Sequence, residues 1–443
     1  MNLGPFDQPL WLVALLAIPP LLVVTSYRVG WLATLLVFLW ADSSMLFAEE
    51  PRQPRVRVAV LGLLLLQGLL RLRGRGRAEM PPRPALLLFA LAAISLLWTE
   101  TRKYSAANVV WLGMLGLATF GQLARLGTTP KQVERTAQAA VTLLLLVILV
   151  GFVPWLRADT WTLSGRLRGF FNNPNGLGIT CALAAPWIVL RALERPGPRQ
   201  VAWGAVVGAL GLLALLSGSR TGLGGLVVGV ATTLFLRSPS RSLAAGALLG
   251  VAISLASLAG TEVDLEEGAV GTLARTQTLS RLSGRLERWE HGLERWRQAP
   301  VLGAGFKASW QYEAADVRDD TSMEVTASGT NFHSQLVETM VDLGAVGALL
   351  LLALLWTLGS RARKLGRRRD RPEIAGPGAA FAGTFTAAAL DSLFHNWILT
   401  PGSPYALVLW SLVALCCRLD RLAAGGAPAP PVPVPAQPIG AST

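Results

Sequence analysis

The sequence predicts an all-α, polytopic membrane protein, and three observations support this fold class. Of the 443 residues, 52% are hydrophobic and only 15% are charged, a composition that soluble globular domains do not have. Long apolar runs recur along most of the chain, as expected for a bundle of membrane helices. The formal net charge of +13 comes from basic residues clustered between these runs. Such an excess indicates membrane topology, so we expect membrane lipids and no nucleic acid as partners.

The apolar runs predict about 12 membrane-spanning helices, with 13 possible. The two counts differ at residues 10–47, where Pro19-Pro20 and Arg28 interrupt the apolar run. The predicted spans lie at residues 10–27, 29–47, 57–71, 85–98, 106–123, 136–154, 176–192, 200–216, 222–236, 243–260, 336–358, 374–394 and 403–417.

The arginine clusters predict the orientation of these spans, because short basic loops stay in the cytoplasm. The clusters lie at residues 71–77, 191–199, 237–241 and 361–371. The opposite, periplasmic side of a bacterial inner membrane then receives residues 155–175, the turn at 217–221, the stretch 261–335 and the turn at 395–402. We divide the chain into an N-terminal transmembrane bundle (1–260), a large periplasmic loop (261–335), C-terminal transmembrane helices (336–422) and a disordered cytoplasmic tail (423–443).

The periplasmic loop contains a predicted amphipathic helix at residues 279–298. Leucine and tryptophan recur there every three or four residues, and Arg281, Arg285 and Arg288 run beside them at the same spacing. Such a helix would lie on the membrane surface with its arginines facing an enclosed space or lipid headgroups. The alternative interpretation is a solvated basic face.

Four polar motifs share the predicted outer face. The first, residues 166–176, contains Arg166, Arg168 and Asn173-Pro174-Asn175, and the second is the turn at residues 217–222. The other two are Ser283-Gly284-Arg285, with Trp289 four residues on, and His333-Ser334, followed nine residues later by Gly344-Ala345-Val346-Gly347. We expected the glycines of the last motif to let another helix pack closely.

These residue types suit the transfer of a group from a lipid pyrophosphate to an alcohol. Arginine binds phosphate oxygens through a planar fork and stays charged in a partly dry site. A neighbouring histidine can take the proton of an attacking hydroxyl. If His333 acts in this way, activity should fall as its imidazole protonates, near the ordinary histidine pKa of about 6.5.

The motifs and their order resemble the O-antigen ligase/polymerase superfamily, a group of bacterial inner-membrane glycosyltransferases with a C-type fold. The likeness extends from about residue 160 to residue 350, and weakly to the spans on either side. The matching positions are Gly169 with Asn173, Pro174 and Asn175; Ser219-Arg220-Thr221-Gly222; Ser283-Gly284-Arg285 with Trp289; and His333-Ser334 with Gly344 and Gly347.

The resemblance implies an undecaprenyl-pyrophosphate-linked glycan as donor and a sugar hydroxyl as acceptor, with inversion and without a metal ion or cofactor. It implies that His333 is the general base or positions the acceptor, and that Arg220, Arg285 and Arg168 bind the pyrophosphate. Supporting roles fall to Asn173, Asn175, Ser334 and Arg288, with Arg166 a further candidate by spacing. The leading interpretation is an O-antigen ligase, whose acceptor is the lipid A–core oligosaccharide; a polymerase of the same superfamily would share the motifs.

Other interpretations stay open at this point. A lipid-linked glycan flippase belongs to another functional class, but transporters commonly carry ionisable groups at mid-membrane and internal repeats, which we do not find. His395 is a conceivable second acid–base residue, although an interfacial or capping role is favoured, with Asp391 four residues earlier as its local partner. Glu338, five residues after His333, is poorly spaced to pair with it.

Overall fold

A computed structural model describes most of the central and C-terminal parts of the chain. The described residues are 62, 65–66, 68–70, 78–150, 162–163, 166–169, 171, 173–237, 285–309, 332–400 and 403–425. The predicted spans at 10–27, 29–47 and 243–260 lie outside these residues, and the span at 57–71 is described only in part. The first part of the predicted periplasmic loop and almost all of the predicted tail also lie outside them.

The described chain is mostly helical, which confirms the all-α part of the predicted fold class, while the periplasmic placement of the large loop stays a prediction. The helices are α1 (Arg83–Ile94), α2 (Arg102–Gly116), α3 (Pro130–Val150), α4 (Pro174–Glu194), α5 (Pro198–Leu216), α6 (Arg220–Arg237), α7 (Arg285–Gln298), α8 (Gln335–Gly366), α9 (Pro372–Ser392) and α10 (Pro404–Ala424). A short antiparallel pair, β1 (Thr162–Leu163) and β2 (Arg166–Leu167), precedes α4 and was not predicted.

Four of the described helices are long and apolar enough to cross a membrane. They are α2 with its extension to Leu126, α4, α5 and α8. The chain therefore has the helices of a membrane protein, while the total of about 12 spans stays a prediction. Several helices begin with proline in their first turn, where its missing N–H costs nothing; these are α1, α4, α5, α9 and α10.

The core of the described bundle is formed by α4, α6, α8 and α9 packed against one another. Glycines allow the closest approaches: a Cβ on Gly222 of α6 would lie 2.6 Å from the backbone of Gly178 in α4. A Cβ on Gly229 of α6 would lie 2.9 Å from the carbonyl oxygen of Gly383 in α9. Small residues at membrane helix contacts bring backbones together in this way.

The contacts of two glycines show which helix ends meet at each end of this bundle. A Cβ added at Gly366, near the end of α8, would contact Leu236 of α6, and one at Gly376 in α9 would contact Glu194 of α4. The ends of α4, α6 and α8 and the start of α9 therefore meet at one end, which we call the basic end. The starts of α4, α6 and α8 and the end of α9 lie at the other, the site end.

Helix α8 is broken at Gly344, where φ is 66° and ψ is −167°. The amide of Ala345 donates to the carbonyl of Pro300 at 2.8 Å, and the amides of Ala304 and Gly305 donate to the carbonyls of Val341 and Asp342 at 2.9 and 2.8 Å. A loop thus supplies the backbone hydrogen bonds that the break leaves open.

This break corrects one sequence prediction. We expected another helix against the glycines at 344 and 347, but a Cβ at Gly344 would meet the backbone of Val301 and Leu302. The three atoms nearest to a Cβ at Gly347 belong to side chains of its own helix. The close helix contacts lie at Gly222 and Gly229 instead, because those glycines face α4 and α9.

Candidate functional site

His333 lies immediately before α8 with its backbone in the left-handed region, at φ 49°. The following residue, Ser334, caps α8: its hydroxyl accepts a hydrogen bond from the amide of Val337 at 3.4 Å. Ser334 is itself buried. The cap and the positive φ together set the direction in which the imidazole leaves the start of the helix.

Helix α7 packs over the start of α8 through its glycine. A Cβ on Gly292 would lie 2.6 Å from a methyl group of Val337 and 3.1 Å from the ring of Phe332. The indole N–H of Trp289 donates to the carbonyl of Phe332 at 3.0 Å, so the tryptophan anchors α7 beside His333. The buried face of α7 is thus centred on Gly292, whereas Leu286 of the predicted apolar stripe is 41% exposed. Residues 279–284 of the predicted helix lie outside the described chain.

Arg285 and Arg288 of α7 act electrostatically on His333, and Arg288 also acts on Arg285. Burial lowers the pKa of Arg285 from its ordinary value, Asp391 opposes this, and the positive charges of Arg288 and Arg220 lower the pKa further. Three predicted arginines from two separate motifs, on α6 and α7, therefore act on one another electrostatically. These like charges repel one another, and a bound anion would offset that repulsion.

The same charges act on His333. Burial is the largest cause that lowers its pKa, and the positive charges of Arg288 and Arg285, with a contribution from His395, lower it further, to about 3. The imidazole is therefore neutral at physiological pH in the ligand-free protein. This corrects the expectation of an ordinary histidine pKa, which ignored both burial and the arginines.

His395 belongs to this site, which the sequence had not favoured. Only 8% of the residue is exposed, and its Nε2 lies 3.4 Å from a terminal nitrogen of Arg285. Its Nδ1 lies 3.0 Å from Asp391 and 3.4 Å from the hydroxyl of Thr221. The predicted local pairing of Asp391 with His395 is confirmed, and tertiary contacts bury this histidine beside Arg285. The capping or interfacial role expected for it stays a prediction.

The first motif is joined to the second by Arg166. Its Nε donates to the carbonyl of Ser217 at 2.8 Å, and a terminal nitrogen donates to the side-chain oxygen of Asn175 at 2.8 Å. A Cβ at Gly218 would come within 3.0 Å of the same guanidinium. Arg166 thus ties the start of α4 to the turn between α5 and α6.

The asparagines of the first motif shape the start of α4. The side chain of Asn173 caps the helix by accepting from the amide of Asn175 at 2.9 Å. Arg168 follows β2, and burial lowers its pKa. These contacts give Asn173 and Asn175 structural roles beside the second motif, whereas Arg168 keeps its predicted role as a hypothesis.

A buried polar cluster next to the site was missing from the sequence prediction. Lys307, which is 2% exposed, forms an ion pair with Glu338 and lies 3.1 Å from the hydroxyl of Thr400. The side-chain amide of Asn396 also donates to Glu338. The carboxylate of Asp342 accepts from the amide of Ser309 at 3.0 Å.

This Lys307–Glu338 cluster fastens the loop after α7 to α8 and to the segment that follows α9. Glu338 therefore has its own partners, in keeping with its poor spacing from His333. The chain offered little signal for the cluster, because Lys307 is an isolated lysine whose partners lie 31 and 93 residues away.

Comparisons with known proteins agree with the motifs. Residues 205–352 match a protein family described as O-antigen ligase, a range that contains Arg220, Arg285, Arg288 and His333. The chain is also similar to the exopolysaccharide production protein ExoQ of Rhizobium meliloti (strain 1021), with 30% identity over 121 residues. That similarity covers 26% of this chain and 26% of the relative, so the chain matches about a quarter of the relative's length. The predicted resemblance to the O-antigen ligase/polymerase superfamily is confirmed.

Proposed function

We propose that this chain is a membrane glycosyltransferase that moves a glycan from undecaprenyl pyrophosphate to a hydroxyl group of a sugar acceptor, in the periplasm at the inner membrane. The single observation that carries the proposal is the arrangement around Arg285. This side chain lies next to His395, and the charges of Arg220 and Arg288 lower its pKa. Arg285 and Arg288 in turn lower the pKa of His333. Positive charges beside a neutral imidazole suit an anionic leaving group and a proton acceptor.

In the proposed reaction, the oxygen of the acceptor hydroxyl attacks the anomeric carbon of the donor glycan. The bond between that carbon and the pyrophosphate oxygen breaks, and undecaprenyl pyrophosphate departs with the bonding electrons. The hydroxyl proton passes to the imidazole of His333, which serves as general base. Arg285, Arg220 and Arg288 offset the negative charge that develops on the departing pyrophosphate, and Arg168 is a further candidate.

The low pKa of His333 in the ligand-free protein implies that the donor must bind before this histidine can accept a proton. In the ligand-free protein the imidazole is a weak base, because protonation adds a positive charge beside those of Arg285 and Arg288. A bound pyrophosphate would offset those charges and raise the pKa of His333 toward its ordinary value. The base would then become effective only after the donor has bound.

The family description, O-antigen ligase, favours a ligase, and the resemblance implies lipid A–core oligosaccharide as its acceptor. The second candidate is a polymerase that joins glycan units, and the name of the relative, an exopolysaccharide production protein, favours it. Both reactions use the same donor chemistry, so the arginine–histidine site supports either. The acceptor decides between them.

A transfer assay with purified protein tests the proposal. Wild type, His333→Ala and His291→Ala are each given undecaprenyl-pyrophosphate glycan in EDTA, with lipid A–core and without an added acceptor. His291 is the matched control, because it is a half-exposed histidine of the same region, with its ring 6.4 Å from that of Phe332. Loss of a general base should lower the turnover of His333→Ala by about 10²- to 10⁴-fold, while His291→Ala stays near wild type.

The products separate the candidates. Glycan on lipid A–core indicates a ligase, and lengthened lipid-linked glycan without an added acceptor indicates a polymerase. Full turnover by His333→Ala would contradict the assigned base. If folded wild type binds the donor but yields no product with or without lipid A–core, the result would instead favour a lipid-linked glycan flippase.

A further inference from the structure

The last turn of α9 and the segment that follows it bring an acid and an imidazole into direct contact. One carboxylate oxygen of Asp391 lies 3.0 Å from Nδ1 of His395. The other oxygen accepts a hydrogen bond from the indole N–H of Trp397 at 2.6 Å. Asp391 is buried, and the hydroxyl of Thr221 on α6 also forms a hydrogen bond with its carboxylate. The carboxylate therefore has a fixed direction relative to the imidazole.

This contact determines which imidazole nitrogen carries the proton. A carboxylate only accepts hydrogen bonds, so Nδ1 of His395 carries the hydrogen that faces Asp391. In the neutral ring, Nε2 then presents a lone pair. The group in front of Nε2 is a terminal nitrogen of Arg285 at 3.4 Å, and a guanidinium only donates. The tautomer fixed by Asp391 is the one that lets His395 accept from Arg285.

The residue before His395 holds the same guanidinium from another side. The central carbon of the Arg285 guanidinium lies 5.8 Å from the centroid of the Phe394 ring, a distance typical of a cation–π contact. Phe394 is supported in turn by Trp289, with ring centroids 5.9 Å apart. Two consecutive residues, Phe394 and His395, thus constrain Arg285, which is 110 residues away from His395 in the sequence.

We propose that Asp391 and His395 form an orienting pair: Asp391 fixes the imidazole tautomer, and Nε2 of His395 accepts from Arg285 and sets the direction of its remaining N–H groups toward the donor pyrophosphate. His395 is therefore a positioning residue, distinct from the base assigned to His333. This inference rests on the proposed function, because it takes the pyrophosphate as the ligand of Arg285. It adds a carboxylate and an imidazole that lie outside the matched residues 205–352.

Substitutions that reverse the proton position test the pair most sharply. In Asp391→Asn, the amide N–H₂ can donate to Nδ1 of His395, which moves the ring hydrogen to Nε2 and sets two donors face to face at Arg285. His395→Ala removes the acceptor, whereas in His395→Gln the side-chain oxygen can reach the position of Nε2. The control is Trp397→Phe, which removes the other hydrogen bond of Asp391 without changing the tautomer.

The primary measurement is the dissociation constant of undecaprenyl pyrophosphate, followed by the KM for donor and by kcat. We expect Asp391→Asn and His395→Ala to raise the dissociation constant and the KM about tenfold or more, the usual effect of losing a hydrogen bond to a charged group. His395→Gln should stay within about threefold of wild type, and Trp397→Phe likewise, with kcat changed less than KM in each variant.

A double-mutant cycle distinguishes positioning from an independent role. If His395 acts only through Arg285, then His395→Ala should cause no further loss of donor affinity in an Arg285→Ala background. An equal loss in both backgrounds, or a His395→Gln variant as poor as His395→Ala, would overturn the proposal. Wild type that does not bind undecaprenyl pyrophosphate would contradict the proposed function itself, and the two failures are therefore distinguishable.

Discussion

The two ends of the helical bundle use arginine in opposite ways. At the basic end, arginines meet carboxylates: Arg418 and Arg421 lie 3.1 and 3.0 Å from Glu79, and Arg361 lies 3.2 Å from Asp420. At the site end, Arg285 lies among Arg220 and Arg288, whose charges lower its pKa. Arginines of the first kind join helices. Those of the second kind lie close enough together to lower the pKa of Arg285 and of His333, and we propose that they bind the donor pyrophosphate.

Glu79 shows what the pairing at the basic end achieves. Burial raises the pKa of this carboxyl, and the charges of Arg418, Arg421 and Arg361 counteract that effect. A buried acid and its arginines therefore satisfy one another, as buried charges must. At the site end, burial and neighbouring arginines instead act in the same direction on His333 and lower its pKa to about 3.

The largest effects are expected when one arginine is removed from each end of the bundle. We expect Arg285→Ala to lower kcat/KM for the donor by about 100-fold, because one or two charge-assisted hydrogen bonds to pyrophosphate are lost, with little change in thermal stability. Arg418→Ala should retain most activity per folded molecule but lose about 1–3 kcal/mol of stability, since Glu79 loses one of its partners. Thermal unfolding in detergent and donor kinetics measure both effects.

Lysine substitutions serve as controls for that pair. Arg285→Lys should recover only part of the activity, because an ammonium group cannot bind two phosphate oxygens through a planar fork or keep the contact with Phe394. Arg418→Lys should recover much of the stability. Equal activity losses at the two ends would contradict the distinction between paired arginines and ligand-binding arginines.

The helices of this fold were predictable because their signals are local. The apolar run at residues 200–216 predicts α5, which the structure bounds at Pro198–Leu216, and proline at the helix start explains where it begins. The Asp391–His395 pair was predictable for the same reason, since four residues on a helix bring side chains together. Apolar patterning, helix caps and i,i+4 spacing can all be evaluated within one segment.

The site was only partly predictable, because its remaining contacts join distant segments. The motifs indicated Arg220, Arg285 and His333. The distance between Arg285 and His395, however, depends on how α7 packs against α8 and against the residues that follow α9. Burial of Lys307 against Glu338 likewise follows from the loop that docks at Gly344. The low pKa of His333 is a product of those same contacts, so an isolated histidine motif could not indicate it.

A second substitution should disturb the site end alone. Gly344→Ala places a Cβ 2.2 Å from the carbonyl oxygen of Val301 and at a φ of 66°, which should cost about 2 kcal/mol or more. Gly359→Ala is the matched control in the same helix, because nothing lies within 4 Å of its Cβ; it should be neutral or stabilising by up to about 1 kcal/mol.

Hydrogen exchange locates the effect of Gly344→Ala. We expect faster exchange at residues 300–309 and weaker donor binding, with unchanged exchange around Arg418 and Arg421 at the basic end. Uniformly faster exchange at both ends would show that the break in α8 supports the whole bundle, and the two ends could then not be treated as separate regions.

The smallest effect expected is on pH dependence, and it tests whether the arginines act on His333. Below the ordinary histidine pKa of about 6.5, the unfolded chain binds a proton that folded His333, with a pKa of about 3, does not bind. His333 therefore lowers folding stability as the pH falls from about 6.5 toward 3, and His333→Gln should remove that contribution. In activity, the acid limb of kcat/KM that belongs to His333 in the free enzyme should lie well below pH 6.5.

Arg288→Gln should then move this acid limb to higher pH, because it removes a positive charge that lowers the pKa of His333. Burial, the larger cause, remains, so the pKa should stay below its ordinary value. Arg297→Gln is the control: it makes the same change of charge at an exposed position of the same helix. If the acid limb shifts only in Arg288→Gln, the effect on His333 is local to the site. Equal shifts in both variants would mean that only the overall charge of α7 matters, which would contradict a specific effect of Arg288 on His333.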